Sequence, residues 1–364
     1  MNAAMDALHE DVFSKNMAPF WAVDTSADHD EDRQVMDKKK ALPFVWKYRD
    51  DIEPLLQRSA ELITMQSSER RSLILVNPGL APRRASVSTM YTAYRLNDPR
   101  EIMPPHRHSP NAIRFGLTGT MNFTGVEGED IVFGPGDMVL TPHDTWHNHG
   151  NQGDEPAVNL SVLDLPLVET LNATYFEGYY SEPDEDGTEV RKDVQSERFP
   201  PDYSQRIYGA GGLMPRSVSH FRGTGDASPM YVYRWESTRE ALENLRPYEG
   251  NGYEAVMIEY VDPTTGQAPY ATMTFFAQML RPDEATLPLR QNASLIYTVI
   301  EGSGHSIIDG KRFDWEPFDT FCVPGGTWCE HVNETENGDA ILFISSDEPV
   351  LKAMRFYMKH GRDR

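Results

Sequence analysis

From about Leu73 the chain runs as short apolar segments broken by Pro, Gly, Asn and Asp: SLILVNPGL, TMYTAYRL, NAIRFGLTG, MNFTG, DIVFGPGD, MVLTP and AVNLSVLDLP. Segments this short and this regularly spaced predict strands of a sandwich or barrel. The rhythm returns from about Val256 in VMIEYV, TMTFFAQML, LIYTVIEG, GHSIIDG, FCVPG and DAILFISS. Helical spacing is confined to the flanks. Met5, Leu8, Val12 and Phe13 share one helical face, and Ile52, Leu55, Leu56, Leu62 and Ile63 share another after the acidic Asp50-Asp51 start. A closing helix is expected with Asp347 as its cap, Pro349 in its first turn and Gly361 beyond its last. Residues 26 to 40 read as a solvated charged loop. The acidic, Pro-containing residues 180 to 205 read as part of a long connection.

The two strand-rich regions are copies of one unit. PHRHSPNAIRFGLTG at 105 to 119 aligns without gaps on PLRQNASLIYTVIEG at 288 to 302, keeping Pro, Arg, Ile and the final Gly. GDMVLTPHDTWH at 136 to 147 lies opposite FDTFCVPGGTWC at 318 to 329. The polar residues diverge: His106, His108 and His147 become Leu289, Gln291 and Cys329. The fold is therefore expected to be dominated by β-structure, two tandem jelly-roll barrels with flanking N- and C-terminal helices. The expected divisions are a helical arm at 1–72, a first barrel at 73–170, a connecting region at 171–255, a second barrel at 256–347 and a C-terminal helix at 348–364.

Composition narrows the function. The 364 residues carry a formal charge of −22, which repels nucleic acid and anionic lipid surfaces. Two cysteines, Cys322 and Cys329, supply neither a disulfide framework nor a four-cysteine zinc site, which suits a reduced, cytoplasmic setting. The sequence has no apolar run long enough for a membrane span, and MNAAMDALHEDV lacks the features of a signal peptide.

His106 and His108, two apart on a strand, project to one face, the interior of a small barrel. His147, after the Gly136-Asp137 turn and the strand ending at Pro142, can reach the same point from an adjacent antiparallel strand. Three neutral imidazoles leave coordination positions for substrate, as a catalytic metal site requires. The second barrel, lacking this set, is expected to be metal-free. His149 shares the face of His147 and competes with it as a ligand; the spacing from Pro142 favours His147. His143 has no motif support and is expected on a surface turn.

These segments resemble the paired motifs of the cupin superfamily, with Asp144 where a Gly is usual and no Glu ligand around Ala112 to Arg114. More closely, ERRSLILVNPGL, TMYTAY, PPHRHSPNAIRF and LTPHDTWHNHGN resemble the gentisate 1,2-dioxygenase family, which includes relatives acting on salicylate and 1-hydroxy-2-naphthoate. ALPFVWKY, YRWE and YVDPTTG extend the resemblance over nearly the whole chain. It implies a bicupin with one Fe(II) per chain in the first barrel, and a homo-oligomer, commonly a tetramer. The reaction it implies opens the ring of a small aromatic hydroxy acid with both atoms of O2. Cleavage falls between the carbons bearing the carboxylate and the ortho-hydroxyl, giving maleylpyruvate from gentisate.

Further site residues follow from the resemblance. Arg114 would hold the substrate carboxylate, the alternative being an internal ion pair with Asp164, itself a candidate in the substrate site. Arg70 would be a second such arginine, although Arg71 offers the same chemistry. His149 would bind the substrate hydroxyl and assist its deprotonation. Tyr91 and Ala93 would wall the pocket, unless Tyr91 is a core residue. Ser161 replaces the first Asp of the family's Asp-Gly-Leu-Asp pattern. Gentisate is the expected substrate, because its second hydroxyl activates the ring and because Tyr91 restricts space for a fused ring.

Overall fold

The computed structural model describes residues 3–17, 40–63, 71–178, 199–219 and 225–363. It forms two compact units, Met1–Lys40 and Ala41–Arg364. In the first unit the expected helix spans Ala3–Ser14. Most of the charged loop at 26–40, Arg70 and much of the acidic connection lie outside the described residues. No described helix is long and apolar enough to cross a membrane.

The larger unit is a bicupin, and its internal repeat extends to strand order. In the first barrel the strands Val232–Tyr233, Met138–Thr141, Ala112–Thr118, Ala157–Leu163, Tyr91–Asn97 and Ser72–Ile74 make a six-stranded sheet. Phe176–Gly178, His106–His108, His147–Asn151, Asn122–Val126 and Glu129–Phe133 make the facing five-stranded sheet. The second barrel repeats this with Phe44–Trp46, Thr320–Val323, Leu295–Glu301, Ala340–Ser346, Thr274–Leu280 and Val256–Tyr260 in one sheet. Its other sheet holds Lys311–Trp315, Gly304–Ile308, Trp328–Asn333, Leu289–Gln291 and Lys359–Gly361.

Several sequence divisions are corrected by these strands. Phe44–Trp46, inside the expected helical arm, pairs with Thr320–Cys322 of the second barrel. Lys47 and the Tyr48 amide fasten this arm to the buried Asp319 carboxylate, both at 2.7 Å. Phe176–Gly178 and Val232–Tyr233, inside the expected connector, complete the first barrel. The closing helix is only Glu348–Ala353, and Gly361 sits in an edge strand paired with Leu289 instead of behind a helix. Asp347 precedes that helix but does not cap it; its carboxylate accepts from Thr89 and from the Ser294 amide at 2.8 Å.

Strand parity explains why these segments read as nearly continuous apolar runs. Ile113, Phe115, Leu160 and Val162 face out of the first barrel, Phe275, Ala277, Ile341 and Phe343 out of the second, and together they form one core between the barrels. Phe115 stacks on Phe343 with ring centroids 4.1 Å apart. The alternate residues line the interiors. The repeated terminal glycine also has a physical cause: Gly119 and Gly302 take φ of +72° and +80°, and a Cβ on either would lie within 3 Å of Ala157 or Ala340.

Because Phe343 is buried in that shared core, Phe343→Ala is expected to cost about 3–5 kcal/mol. Urea unfolding followed by tryptophan fluorescence checks this; a loss below about 1 kcal/mol would mean that the barrels do not depend on the stack.

Candidate active site

Two adjacent antiparallel strands bring four histidines together. His106 pairs directly with His147, and alternation places His108 and His149 on the same interior side. Ring centroids lie 4.5 Å apart for His106 and His147, 4.7 Å for His108 and His147, and 5.1 Å for His147 and His149. His106, His147 and His149 can each bring one nitrogen within 4.8 Å of the others.

Hydrogen bonds divide the four into three and one. His106 Nδ1 contacts the Pro104 carbonyl at 3.2 Å, His108 Nδ1 the Pro110 carbonyl at 2.9 Å, and His147 Nδ1 the Thr145 carbonyl at 2.8 Å. A carbonyl only accepts, so each Nδ1 carries the proton and each Nε2 keeps a lone pair, the tautomer a metal-binding imidazole needs. His147 Nε2 is buried and has no hydrogen-bond partner. Burial, then the neighbouring His106 and His108, hold His147 well below the usual histidine range, so it is neutral at pH 7. An orphaned, buried lone pair on a neutral imidazole, beside the rings of His106 and His108, fits a divalent metal ion.

His149 is different. The Arg114 guanidinium donates to its Nε2 at 2.8 Å, and its Nδ1 lies 3.0 Å from Thr124 Oγ1. An arginine can only donate, so His149 protonates on Nδ1 and gives that proton to Thr124. Its second nitrogen is covered by Arg114 despite its proximity to the other rings. Burial and then the Arg114 charge lower its pKa strongly.

A cavity of about 1280 Å³ opens beside His106, His108 and Arg114. Its sheet wall is a set of cross-strand rows. Arg114, Ser161, Ala93 and Ile74 form one, with Leu163 and Tyr91 on one side and Arg95 and Ser72 on the other. Tyr91 and Ala93 thus stand on the wall as the strand parity required. Arg95 was missed by the sequence reading, although the alternation Tyr91, Ala93, Arg95 contains it. It is 5% exposed and bonds Asn97 through Nε.

Other candidates lie elsewhere. Asp164 is not paired with Arg114 and is not on the cavity wall. Its carboxylate accepts from Asn111 at 3.1 Å and from Thr272 at 2.5 Å, and burial raises its pKa. Ser161 and Leu163 face the cavity, so alternation alone sends Asp164 to the other side, where the strand ends and a helix begins. Arg71 is buried on Asp98, Glu101 and the Ala60 and Ile63 carbonyls, so it binds the protein and does not line the cavity. His143 is half-buried and paired with Asp226 at 2.8 Å. Asp144, in place of the usual glycine, takes the left-handed turn itself at φ +56° and ties its carboxylate to Arg107 and Tyr175. Asn151 is structural, bridging the Asn97 and Glu155 carbonyls.

The fold and the histidine cluster define a bicupin with a candidate metal site in its first barrel. A cupin-domain family model matches residues 97–163, and the chain is 34% identical to 5-aminosalicylate 1,2-dioxygenase of a Comamonas species over 98% of its own length and 90% of the relative's. It is 32% identical to gentisate 1,2 dioxygenase 1 of Aquipseudomonas alcaligenes, covering 94% and 92% of the two chains. The crystal structure of salicylate 1,2-dioxygenase from Pseudaminobacter salicylatoxidans superposes with a TM-score of 0.84 at 28% identity over 99% of both chains. The chain belongs to the gentisate 1,2-dioxygenase family.

The Arg71 network of buried ions also bears on stability. Removing the guanidinium leaves the buried Glu101 with the Asp98 amide at 2.8 Å and with Arg95, 3.8 Å away, as its described cation. Arg71→Met is therefore expected to cost about 3–5 kcal/mol, measured by chemical denaturation. A neutral outcome would mean that the buried ions are matched by solvent.

Proposed function

We propose that this protein is an Fe(II)-dependent dioxygenase that opens the ring of gentisate between its carboxylate-bearing and ortho-hydroxyl-bearing carbons, incorporating both atoms of O2 and releasing maleylpyruvate. The observation that carries this reading is the division of labour among four clustered histidines, three with Nδ1 fixed on carbonyls and one coupled to an arginine at the cavity wall. His106, His108 and His147 would hold the metal. Bound there, Fe(II) supplies a template for the substrate's carboxylate and hydroxyl oxygens and the one-electron chemistry that dioxygen requires.

The chain's own residues do the rest. Arg114 presents a planar fork suited to a carboxylate. When a substrate carboxylate takes that fork, Arg114 turns from His149 and uncovers Nε2, whose lone pair then accepts the proton of the ortho-hydroxyl. Thr124 fixes the tautomer that makes this possible. Tyr91, Ala93 and Leu163 supply the wall for the ring. Arg70 remains a second candidate for the carboxylate by resemblance alone. A reduced cytoplasmic setting agrees with Cys322 and Cys329, both free and buried. A homotetramer is likewise carried by resemblance.

Ring electronics support gentisate. Its second hydroxyl, para to the chelating one, raises the electron density of the ring. The cavity does not exclude a fused ring, since about 1280 Å³ exceeds the needs of either acid, so the expected steric restriction by Tyr91 carries no weight. A second reading, 5-aminosalicylate, is favoured by the 34% identity to that dioxygenase and has an equivalent para donor.

Two outcomes follow. His106→Ala, His108→Ala and His147→Ala should each reduce iron from one per chain to below about a tenth, because a chelate of two imidazoles is too weak, whereas His149→Ala should retain it. Elemental analysis showing iron kept in His108→Ala and lost in His149→Ala would transfer the third ligand to His149. In oxygen-uptake assays at equal iron loading, kcat/KM should be highest for gentisate, with salicylate and 1-hydroxy-2-naphthoate at least about tenfold lower. A greater value for 5-aminosalicylate would select the second reading, and no uptake with any of the four would refute the function.

A further inference from the structure

The second barrel keeps the cavity that the first barrel uses, with different chemistry on its walls. Tyr297, Ile344 and Phe276 form a cross-strand row in the register occupied by Arg114, Ser161 and Ala93 in the first barrel. Leu289 pairs with Cys329 as His106 pairs with His147. These residues enclose about 240 Å³, whereas a cavity of about 150 Å³ suffices for benzene. The space has not been filled by Leu289, Gln291 and Cys329, which replaced the histidines.

Three of its polar groups, on Tyr297, Gln278 and His331, are neutral and lack full partners. The Tyr297 hydroxyl makes no hydrogen bond with any described residue, although Tyr297 is 4% exposed and held flat against Phe321 at 4.7 Å. Gln278 donates to the Glu254 carbonyl at 2.9 Å, which fixes its amide orientation and leaves its buried Oε1 without a partner. His331 completes the set. Trp315 donates to Ser306 Oγ at 3.0 Å, and Ser306 lies 2.8 Å from His331 Nδ1. The buried Ser306 hydroxyl satisfies its own proton by donating to Nδ1, so the His331 proton sits on Nε2, where its neighbour is only the Cys329 sulfur at 3.8 Å. Burial lowers His331 to about 4, so the ring is uncharged. This tautomer is opposite to that of His149, because Tyr297 replaces the arginine that donates to His149.

Charge on the walls excludes anions. Among the described lining residues the single cation, Lys359, is paired with Glu254 at 2.5 Å, and Glu259 and Glu348 add negative charge. A benzoate entering here would lose its hydration without meeting a counter-ion. A neutral ring with one hydroxyl meets apolar surface from Leu289, Phe276 and Ile344. Its oxygen can accept from His331, and its proton can go to Tyr297 or Gln278.

We propose that the second barrel is a binding site for a small neutral phenol, separate from the site that takes the aromatic acid in the first barrel. This stands independently of the dioxygenase reading, because none of its residues belongs to the histidine cluster. The test is titration of the iron-loaded protein with 4-fluorophenol, followed by 19F NMR. Saturable binding is expected, weakened about tenfold by Tyr297→Phe, which removes one hydrogen bond, abolished by Leu289→Trp, which fills the space, and not displaced by benzoate. Absence of saturable binding, indifference to Tyr297→Phe, or displacement by benzoate as readily as by phenol would each overturn it. Should Leu289→Trp fail to fold, as judged by its thermal transition, the near-isosteric Tyr297→Phe decides alone.

Discussion

An imidazole has two nitrogens about 2 Å apart on one rigid ring, so fixing what one of them does determines what the other can do. Each of His106, His108 and His147 has its Nδ1 on a backbone carbonyl two residues away, while His149 has Nδ1 on a hydroxyl and Nε2 under a guanidinium. The carbonyls belong to Pro104, Pro110 and Thr145, which flank the two paired strands, and the groups on His149 to Thr124 and Arg114 of other strands. The pairing of His106 with His147, together with the two-residue alternation, places all four rings on one side. A slip of one residue would turn every ring away from the cavity.

The duplicated scaffold shows how much of this is architecture and how much is side chain. Both barrels borrow an edge strand from outside the repeat, Phe44–Trp46 in one and Val232–Tyr233 in the other. Both keep a left-handed glycine, Gly119 or Gly302, directly after the strand Ala112–Thr118 or Leu295–Glu301, and both keep an asparagine, Asn151 or Asn333, that bridges backbone carbonyls at the end of the last motif. Within that shared frame the interiors diverged completely. One holds a histidine cluster beside two arginines, and the other holds a cavity lined by three glutamates and one lysine. The remaining candidate cation group among the described residues, His305 with Asp314 and Glu334, is on a surface where Arg312 already pairs with both carboxylates.

The sequence carried the repeat, the strand-rich halves and the histidine motif, because these depend on local spacing. His-x-His on a strand needs no tertiary information to place two rings on one face. It did not carry contacts set by distant pairing. Nothing near Phe44 announces that it completes a sheet with Thr320–Val323, and a Gly361 that looks like a helix terminator is an edge strand. Arg95 went unread for want of a motif, although its parity with Tyr91 and Ala93 was available. Asp164 was offered as a partner for Arg114 without regard to its parity, which is opposite to that of Ser161 and Leu163; its carboxylate goes to Thr272 and Asn111 instead.

In the proposed reaction Arg114 exchanges His149 for the substrate carboxylate. The most direct measurement is an anaerobic crystal structure of the iron-loaded protein with gentisate. The guanidinium is expected to leave His149 Nε2 for the carboxylate, and that nitrogen to face the ortho-hydroxyl. An Arg114–His149 contact still at the present 2.8 Å, with the carboxylate bound elsewhere, would contradict it.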